Sequence, residues 1–333
     1  MADEFVRLAR SDQLDAMGVA ATKSGRPSHL LEKDVWVVWA VDALFSSPYG
    51  PHLVFKGGTS LSKGYDIIKR FSEDVDVTYD VRELLPELAG GHPIPATNSQ
   101  AKKWSDAIKV RLPAWIRDKI VPILEAHATK TGAKVKIIAE GDKVFVAYNP
   151  DAKGDEYVAR RVTLEFGARS TGEPVETKAI TCDAAPFIAE LAFPAANPRL
   201  MLPKRTFWEK ATAVHVFCAN GDVGDRHSRH WYDLVRLDEA GEAKNAFADR
   251  ALAKEVAEFK SRFFRARDRN GEWIDYMAAV TGKLQLVPDE EVRKVLAEDY
   301  AKMVEERILI GEAESFEDLM KKCADLEKRA NEA

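Results

Sequence analysis

A glycine pair and an aspartate pair lie near each other in the sequence. Residues of these types at this spacing could bind a phosphate and a metal ion. Gly57 and Gly58 follow a short apolar run. Glycines that leave a strand let backbone N–H groups approach a phosphate closely, and a helix that follows directs its positive N-terminal end at the same place. Asp74 and Asp76 lie two apart on a segment that alternates like a strand, so both side chains project from one face. Two such carboxylates repel each other unless a cation lies between them, and Mg²⁺ prefers these oxygen ligands.

Each of these motifs is common by itself. A lone Gly-Gly pair is usually a turn, and a lone Asp-x-Asp is usually a solvated strand face. Their order is far more specific when a strand, a turn, a helix and a second strand surround them. We therefore predict a Mg²⁺ site beside a phosphate-binding turn.

The elements expected around this site give a mixed α/β first half and a helical second half. Hydrophobic residues make up 46% of the 333-residue chain and charged residues 31%, as in ordinary globular proteins. Periodicity and turn residues predict helices over 10–22, 31–47, 101–130, 207–219, 228–240, 243–267, 289–307 and 315–331, a strand–turn–helix unit over 52–68, strands over 73–80, 134–140, 143–149, 157–168 and 175–182, and a loop over 86–99. Pro113 and Pro122 should start, kink or break the helix that contains them. The predicted fold class is α/β (α+β), a mixed sheet flanked by helices and followed by a helical lobe, divided at 1–190 and 191–333.

Charge and cysteine content favour a protein of the cytoplasm without a membrane span. No stretch approaches the roughly 20 apolar residues of a membrane helix, and the N-terminus lacks an apolar signal core. Cys182, Cys218 and Cys323 are odd in number and show no metal-binding spacing. The net charge of −5 gives no global basic field for nucleic acid, although a local patch is possible. The basic residues that could form it are Lys63, Lys69, Arg70, Lys102, Lys103, Arg160, Arg161, Lys204 and Arg205.

Four segments of the chain resemble one enzyme family. FKGGTSLSKGYDIIKRFSEDVD resembles the signature of the AbiEii-type nucleotidyltransferase toxins, a branch of the DNA polymerase β superfamily that includes the mycobacterial MenT toxins. Glu32-Lys33-Asp34 is similar to the Glu-Lys-Asp before that signature, and FWEKA at 207–211 is similar to the family's lysine segment. RHWYDL at 229–234 resembles its Arg-Asp-x-Tyr-Asp-Leu segment, with His230 in place of the first Asp. The resemblance covers residues 31–238, and residues 239–333 match no motif.

The resemblance implies a Mg²⁺-dependent enzyme that uses a nucleoside triphosphate, with a role for each matching residue. Asp74 and Asp76 would hold the metal, and the superfamily adds a third carboxylate from a neighbouring strand. The clean alternation of 161–166 makes Glu165 the candidate for that position. The residues expected to bind the triphosphate are Gly57, Gly58, Thr59, Ser72 and Lys210. Lys210 and Asp233 are expected to act in catalysis, contributed by the helical lobe to the cleft.

The residue types alone allow simpler interpretations of the same positions. Glu165 could be a solvated strand residue, and the Ser72 hydroxyl could bond its own turn. Lys210 could extend its ammonium to solvent from an apolar helix. Asp233 could pair with Arg229 or Arg236. Three further aromatic residues are expected in the core rather than on a base-stacking surface, namely Phe207, Trp208 and Trp231. His215, His227 and His230 lack zinc spacing.

The resemblance also implies a biological role. It favours transfer of a nucleotide to RNA, in particular to the 3′ end of tRNA, by the toxin of a toxin–antitoxin pair whose cognate antitoxin is encoded nearby. Transfer to a small molecule or to a protein side chain is a second possibility. A catalytically inactive binding protein with the same fold is a third, and the presence of Asp74, Asp76 and Lys210 argues against it.

Overall fold

The computed structural model describes residues 3–72, 74–148, 160–306 and 308–333. The predicted strand residues 73, 149 and 157–159 and the predicted helix residue 307 lie outside the described residues. Among the residues described, no helix is both long enough and apolar enough to cross a membrane.

The chain forms two compact units, and each combines separate stretches of sequence. The first unit comprises 1–64, 72–91 and 106–200, and the second comprises 65–71, 92–105 and 201–333. The sequence pattern placed one boundary at 190/191. It gave no sign that two short stretches from the first half belong with the helical unit.

The first unit is built on a mixed sheet, which the described residues form from seven strands in the order β4-β5-β6-β3-β2-β11-β7. The β3–β6 and β2–β11 pairs are parallel, whereas β2–β3, β5–β6 and β4–β5 are antiparallel. The strands are β1 (Asp3–Glu4), β2 (Leu53–Lys56), β3 (Asp74–Tyr79), β4 (Val135–Glu140), β5 (Lys143–Tyr148), β6 (Arg161–Gly167), β7 (Val175–Thr177), β8 (Ile180–Thr181), β9 (Leu191–Ala192), β10 (Ala195–Ala196) and β11 (Arg199–Met201). The predicted strand over 175–182 is therefore two short strands, which pair in different sheets.

Alternation along the central strands separates a buried face of the sheet from a partly exposed one. On β3, β5 and β6 every second residue is apolar and buried, for example Val75, Val146 and Leu164. Helices cover this buried face, where Trp36 stacks on Tyr148 with ring centroids 5.4 Å apart. The opposite face carries the polar side chains of the same strands, so any chemistry of the sheet is confined to that face.

The helices confirm the predicted layout, with corrections between residues 81 and 89, after Pro113 and at Asp249. The helices are α1 (Arg10–Ser24), α2 (Ser28–Phe45), α3 (Gly57–Lys63), α4 (Val81–Leu84), α5 (Pro86–Ala89), α6 (Asn98–Trp115), α7 (Val121–Thr131), α8 (Pro203–Asn220), α9 (Ser228–Glu239), α10 (Glu242–Ala248), α11 (Arg250–Phe263), α12 (Tyr276–Ala279), α13 (Glu290–Glu305) and α14 (Phe316–Glu332). Two short helices, α4 and α5, occupy the region between 81 and 89, so the loop predicted from residue 86 begins later. The helix containing Pro113 continues past it and then widens into a π-turn at Ile116–Ile120, because proline supplies no N–H to the ladder.

The helix predicted over 243–267 is wrong in two places. It divides at Asp249, whose carboxylate caps α11 by accepting the Leu252 N–H at 3.1 Å. It also ends at Phe263, after which a short hairpin brings Arg267 opposite Trp273. Helical periodicity in the sequence hid both changes, since a capping Asp in mid-pattern also looks like a polar helix position.

The second unit also includes a strand-like pairing between distant parts of the chain. Phe71 N–H donates to Ile308 O at 2.8 Å, and Ile310 N–H donates to Lys69 O at 2.8 Å. Arg70 and Leu309 form the antiparallel bridge between these bonds. Residues 69–71 are thereby held by the C-terminal part of the chain.

Candidate active site

The aspartate pair lies on the exposed side of β3, directly beside the glycine turn. Asp74 and Asp76 are both partly exposed, and the intervening Val75 is buried, which confirms that the carboxylates share one face. Gly57 begins α3 immediately after β2, with φ of +78°. A Cβ atom at this position would lie 2.1 Å from Asp76 Oδ2. Glycine is therefore required at residue 57 both by its backbone conformation and by the carboxylate beside it.

We expect Gly57→Ala to lower the transfer rate by about 10²-fold, because the new methyl group must displace the Asp76 carboxylate by an ångström or more. The left-handed φ should also cost about 1–2 kcal/mol of stability. Gly25→Ala is the matched control, since Gly25 has φ of +72° and nothing within 4 Å of its Cβ position. Thermal unfolding should show a comparable loss in both variants, and a rate assay should show a loss only in Gly57→Ala. If Gly57→Ala and Gly25→Ala had equal activities, Gly57 would have no role in the reaction.

Strand register places Glu165 next to the aspartate pair. Asp76 is aligned with Glu165 on β6, and Glu165 is aligned with Lys143 on β5, so the three side chains form a row on the exposed face. Lys143 Nζ forms a salt bridge with Glu165. This hydrogen bond, reinforced by the charges of Glu165, Asp142 and Asp74, raises the pKa of Lys143. Glu165 is thus beside the site but bonded to an ammonium group.

Thr59 and Ser72 form a hydroxyl pair that fixes the start of β3. Thr59 Oγ1 lies 2.5 Å from the carbonyl oxygen of Asp74 and 2.9 Å from Ser72 Oγ. A hydroxyl has one proton, so Thr59 donates to the Asp74 carbonyl and accepts from Ser72. Thr59 is buried, and its side chain therefore positions the start of β3, whereas Ser72 is partly exposed at the same place.

The C-terminal end of α3 is held by a buried ionic network. Lys63 Nζ lies 2.8 Å from Asp34 Oδ1 and 2.6 Å from Asp183 Oδ1, and Asp183 also pairs with Arg26. Burial acts to lower the pKa of Lys63, but the two carboxylates outweigh it and raise the pKa. The aspartate of the Glu-Lys-Asp segment therefore anchors the helix that begins at Gly57.

In the second unit, Lys210 and Asp233 form a buried cluster with Arg70. Arg70 binds Asp233 with two parallel hydrogen bonds, Nε to Oδ1 at 2.7 Å and Nη2 to Oδ2 at 2.8 Å. Lys210 Nζ lies 2.8 Å from Asp233 Oδ2. The side chain of Asp233 is 0% exposed and that of Lys210 is 12% exposed. Lys210 therefore does not extend freely to solvent. The arginine that pairs with Asp233 is Arg70 rather than Arg229 or Arg236.

The cluster carries one net positive charge, because two cations share one carboxylate. Burial acts to raise the pKa of Asp233, but Arg70 and Lys210 outweigh it and hold the pKa well below its usual range. His230 stands where the resembling family has an aspartate. Burial, followed by the charge of Lys210, lowers the pKa of His230 well below its usual value, so this histidine is neutral at pH 7. His230 therefore leaves the positive charge of the cluster unchanged, whereas an aspartate at this position would cancel it.

Removing the Asp233 charge should destabilise the protein strongly. We expect Asp233→Asn to cost about 3–5 kcal/mol at pH 7, because Arg70 and Lys210 lose the buried carboxylate that they share. The folded pKa is depressed, so the contribution is fully present above the unfolded pKa near 4 and is lost as pH falls below it. Urea unfolding should show the difference between wild type and variant shrinking from about pH 4 downward. Asp325→Asn, at an exposed pair with Arg329, should cost less than about 1 kcal/mol at any pH.

The structure corrects the predicted set of exposed basic residues. Three of them are buried and paired, namely Lys63, Arg70 and Arg205, of which Arg205 bonds Glu209 and Glu255. Lys204 pairs with Asp249. The local pattern could not reveal these pairs, since every partner except Glu209 is distant in sequence. Phe207, Trp208 and Trp231 are fully buried, which confirms them as core residues.

The carboxylates of β3 suit a divalent cation that arrives with a phosphate ligand. Mg²⁺ takes one or two protein carboxylates and completes its shell with water and phosphate oxygens, which Asp74 and Asp76 allow. Within the described part of the chain, no three His, Cys, Asp or Glu side chains are placed to hold a metal ion together. Glu165 could join such a site only after leaving Lys143.

A glycine turn beside two strand carboxylates on a mixed sheet can hold a phosphate and a divalent cation together, as nucleotidyl transfer requires. Comparison with family models agrees: the model described as "Nucleotidyl transferase AbiEii toxin, Type IV TA system" matches residues 39–322. The chain belongs to this family of nucleotidyltransferase toxins. No curated protein matches the sequence.

Three solved structures match the chain over most of its length at low sequence identity. JHP933 from Helicobacter pylori is 16% identical, with a TM-score of 0.43 and coverage of 92% of this chain and 93% of that one. A nucleotidyltransferase structure from H. pylori is 15% identical, with a TM-score of 0.43 and coverage of 92% and 96%. MenT4, a nucleotidyltransferase toxin from Mycobacterium tuberculosis, is 16% identical, with a TM-score of 0.41 and coverage of 93% and 98%.

Proposed function

We propose that this protein transfers a nucleoside monophosphate from a nucleoside triphosphate to RNA, at the 3′ end of tRNA. Added nucleotides would block aminoacylation and stop translation, and the protein would act in the cytoplasm as a toxin restrained by an antitoxin encoded nearby. The observation that carries the proposal is the contact geometry of Gly57 with Asp76, which joins a phosphate-binding turn to a carboxylate pair. Membership of the toxin family supports the biological role.

Asp74 and Asp76 would hold Mg²⁺, which when bound neutralises charge on the phosphates and on the leaving group. The backbone N–H groups of Gly57 and Gly58 would bind phosphate oxygens, because the first N–H groups of a helix have no acceptor within it. Ser72 would add a hydroxyl, while Thr59 keeps the strand in place. Glu165 is the proposed third carboxylate, and it would have to leave Lys143 to contact the metal.

In the reaction, a hydroxyl oxygen of the RNA terminus attacks the α-phosphorus of the triphosphate. A new phosphodiester bond forms as the bond between the α-phosphorus and the oxygen that bridges to the β-phosphate breaks. Pyrophosphate leaves with that oxygen, and the proton of the attacking hydroxyl passes to solvent. We propose that Lys210 binds phosphate oxygens in this reaction and that Asp233 and Arg70 position it. The net positive charge of the cluster supports this role. The sequence supports it as well, because Arg70 precedes Asp74 by only four residues and is therefore connected to the aspartate strand through a short stretch of chain.

The test is incubation of the protein with Mg²⁺, each labelled triphosphate in turn and purified tRNA, followed by a denaturing gel. Label should appear on tRNA with wild type and not with Asp74→Asn. Periodate-oxidised tRNA is the matched control acceptor, because oxidation removes the 3′-terminal diol and leaves the rest of the molecule intact. Equal labelling of oxidised tRNA would exclude the 3′ end as the acceptor. Label on a small molecule or on protein, with none on any RNA, would establish the alternative acceptor class instead.

A further inference from the structure

The hairpin that follows α11 has one face on which two arginines meet an exposed tryptophan. Arg267 and Trp273 are directly opposed across the hairpin. Opposed residues project from the same face, and residues two apart on a strand do so as well. The guanidinium carbon of Arg267 lies 4.0 Å from the centre of the Trp273 ring, and that of Arg265 lies 3.7 Å from it. We refer to these three side chains as the arginine–tryptophan face.

The acidic residues of the hairpin do not project from the arginine–tryptophan face. Asp268 turns its carboxylate into the tip of the hairpin, where it accepts the N–H groups of Asn270 and Glu272, each at 2.9 Å. Asp268 N–H donates to Glu272 O at 2.9 Å, which makes these two residues the next opposed pair after Arg267 and Trp273. Because side chains alternate along each strand, Glu272 projects from the opposite face.

The positive charge of the arginine–tryptophan face is exposed and not neutralised by an ion pair. Trp273 is 48% exposed, and both arginines are exposed. In the described residues neither Arg265 nor Arg267 has an acidic side chain within salt-bridge distance, although the chain as a whole has a net charge of −5. Stacking on the indole restricts both guanidinium groups, so less entropy is lost when they bind a ligand.

We propose that the arginine–tryptophan face binds single-stranded RNA. Within the described residues, the N–H edge of Arg265 remains available for two parallel bonds to a phosphate. Arg267 donates from Nη1 to Gly271 O and keeps its other N–H groups for a phosphate, and the outer plane of each guanidinium group can stack on a base. An acidic peptide would use the charges but would gain little from the planar groups, whereas an RNA strand uses both. The inference rests on the proposed function in one respect: this face would hold the RNA acceptor.

The experiment measures direct binding, without catalysis, of a short fluorescein-labelled oligoadenylate by fluorescence anisotropy. The Arg265→Gln/Arg267→Gln double variant should bind on the order of tenfold more weakly. The slope of log K against log salt should fall by about 1.4 in magnitude, since each phosphate contact on a single strand contributes about 0.7. Trp273→Ala should weaken binding on the order of tenfold with little change in the salt slope, because it removes stacking rather than charge.

The matched control is Lys294→Gln/Lys321→Gln, which removes two positive charges from exposed helix positions whose lysines already pair with acidic residues. It should leave the affinity within about twofold of wild type. Wild-type affinity in the arginine and tryptophan variants would overturn the proposal, and so would equal affinity for a labelled polyglutamate peptide.

A labelling assay separates this inference from the proposed function. If wild type labels tRNA but the face variants retain full affinity for oligoadenylate, the function stands and this face is not the RNA site. If the face binds oligoadenylate as expected but no RNA is labelled, the acceptor assignment fails and the binding site stands.

Discussion

Replacing Asp74 and Asp76 together with asparagine should lower kcat/KM for nucleotidyl transfer by about 10²–10⁴-fold or more, while the free energy of unfolding stays unchanged or rises slightly. The rate falls because no carboxylate remains on β3 to hold the cation that stabilises the developing phosphate charge. Stability should change little, because both side chains are partly exposed and the relief of the repulsion between their like charges offsets the lost attraction between Asp74 and Lys143. Transfer of labelled nucleotide across a Mg²⁺ titration, together with urea unfolding, measures both quantities.

The control for this prediction is Asp142→Asn. Asp142 is exposed at the β4–β5 turn and contributes to the same local field, since its charge helps to raise the pKa of Lys143. Its loss should leave the rate within about threefold of wild type, because a screened surface charge contributes little. Near-wild-type transfer in the double variant at every Mg²⁺ concentration would contradict the metal assignment.

Lys210→Met should lower kcat/KM for the triphosphate by about 10²–10³-fold. The substitution keeps much of the side-chain volume and leaves the two Arg70–Asp233 hydrogen bonds intact, so the buried cluster changes from one positive charge to none. A lost charged donor to a phosphate weakens binding and transition-state stabilisation together, so kcat should fall and KM should rise. Steady-state kinetics with varied triphosphate would separate the two effects.

Two further variants sharpen the Lys210 prediction. Lys210→Arg keeps the charge with a different geometry, and we expect it to recover only part of the rate. Lys204→Met is the matched control on the same helix, because Lys204 pairs with Asp249 and its side chain is 29% exposed, against 12% for Lys210. If Lys210→Met and Lys204→Met had equal rates, Lys210 would be a structural residue alone.

Much of the candidate site could be predicted because its signals are local. A glycine with positive φ at a strand–helix junction and two aspartates two apart on a strand are properties of short segments, and the structure places Gly57 against Asp76. The alternation of polar and apolar residues over 161–166 also predicts that Glu165 lies on the exposed face of its own strand. The alignment of Glu165 with Asp76 depends on which strands pair, and that pairing is decided by burial across the whole sheet.

The remaining features were hidden because their partners are far apart in the sequence. Arg70 looked like an exposed basic residue, yet it is bonded to Asp233, 163 positions away. Lys63 looked similar, and its carboxylate partners are Asp34 and Asp183. A buried cation has no local signature, because only the fold decides whether a lysine or arginine meets water or a carboxylate. The hairpin after α11 was missed for a related reason, since its opposed residues Arg267 and Trp273 fit a helical pattern until the chain reverses.

The pairing of residues 69–71 with 308–310 has a consequence for the order of events during synthesis. A chain leaves the ribosome from its N-terminus, so this early segment emerges long before the residues that bond its backbone. Arg70 can also pair with Asp233 only after residue 233 has emerged. The helical unit can therefore be completed only after residues 308–310 have emerged. A chain that stops before residue 308 should lack the backbone bonds that hold residues 69–71, and we expect it to be less active than a chain that includes them.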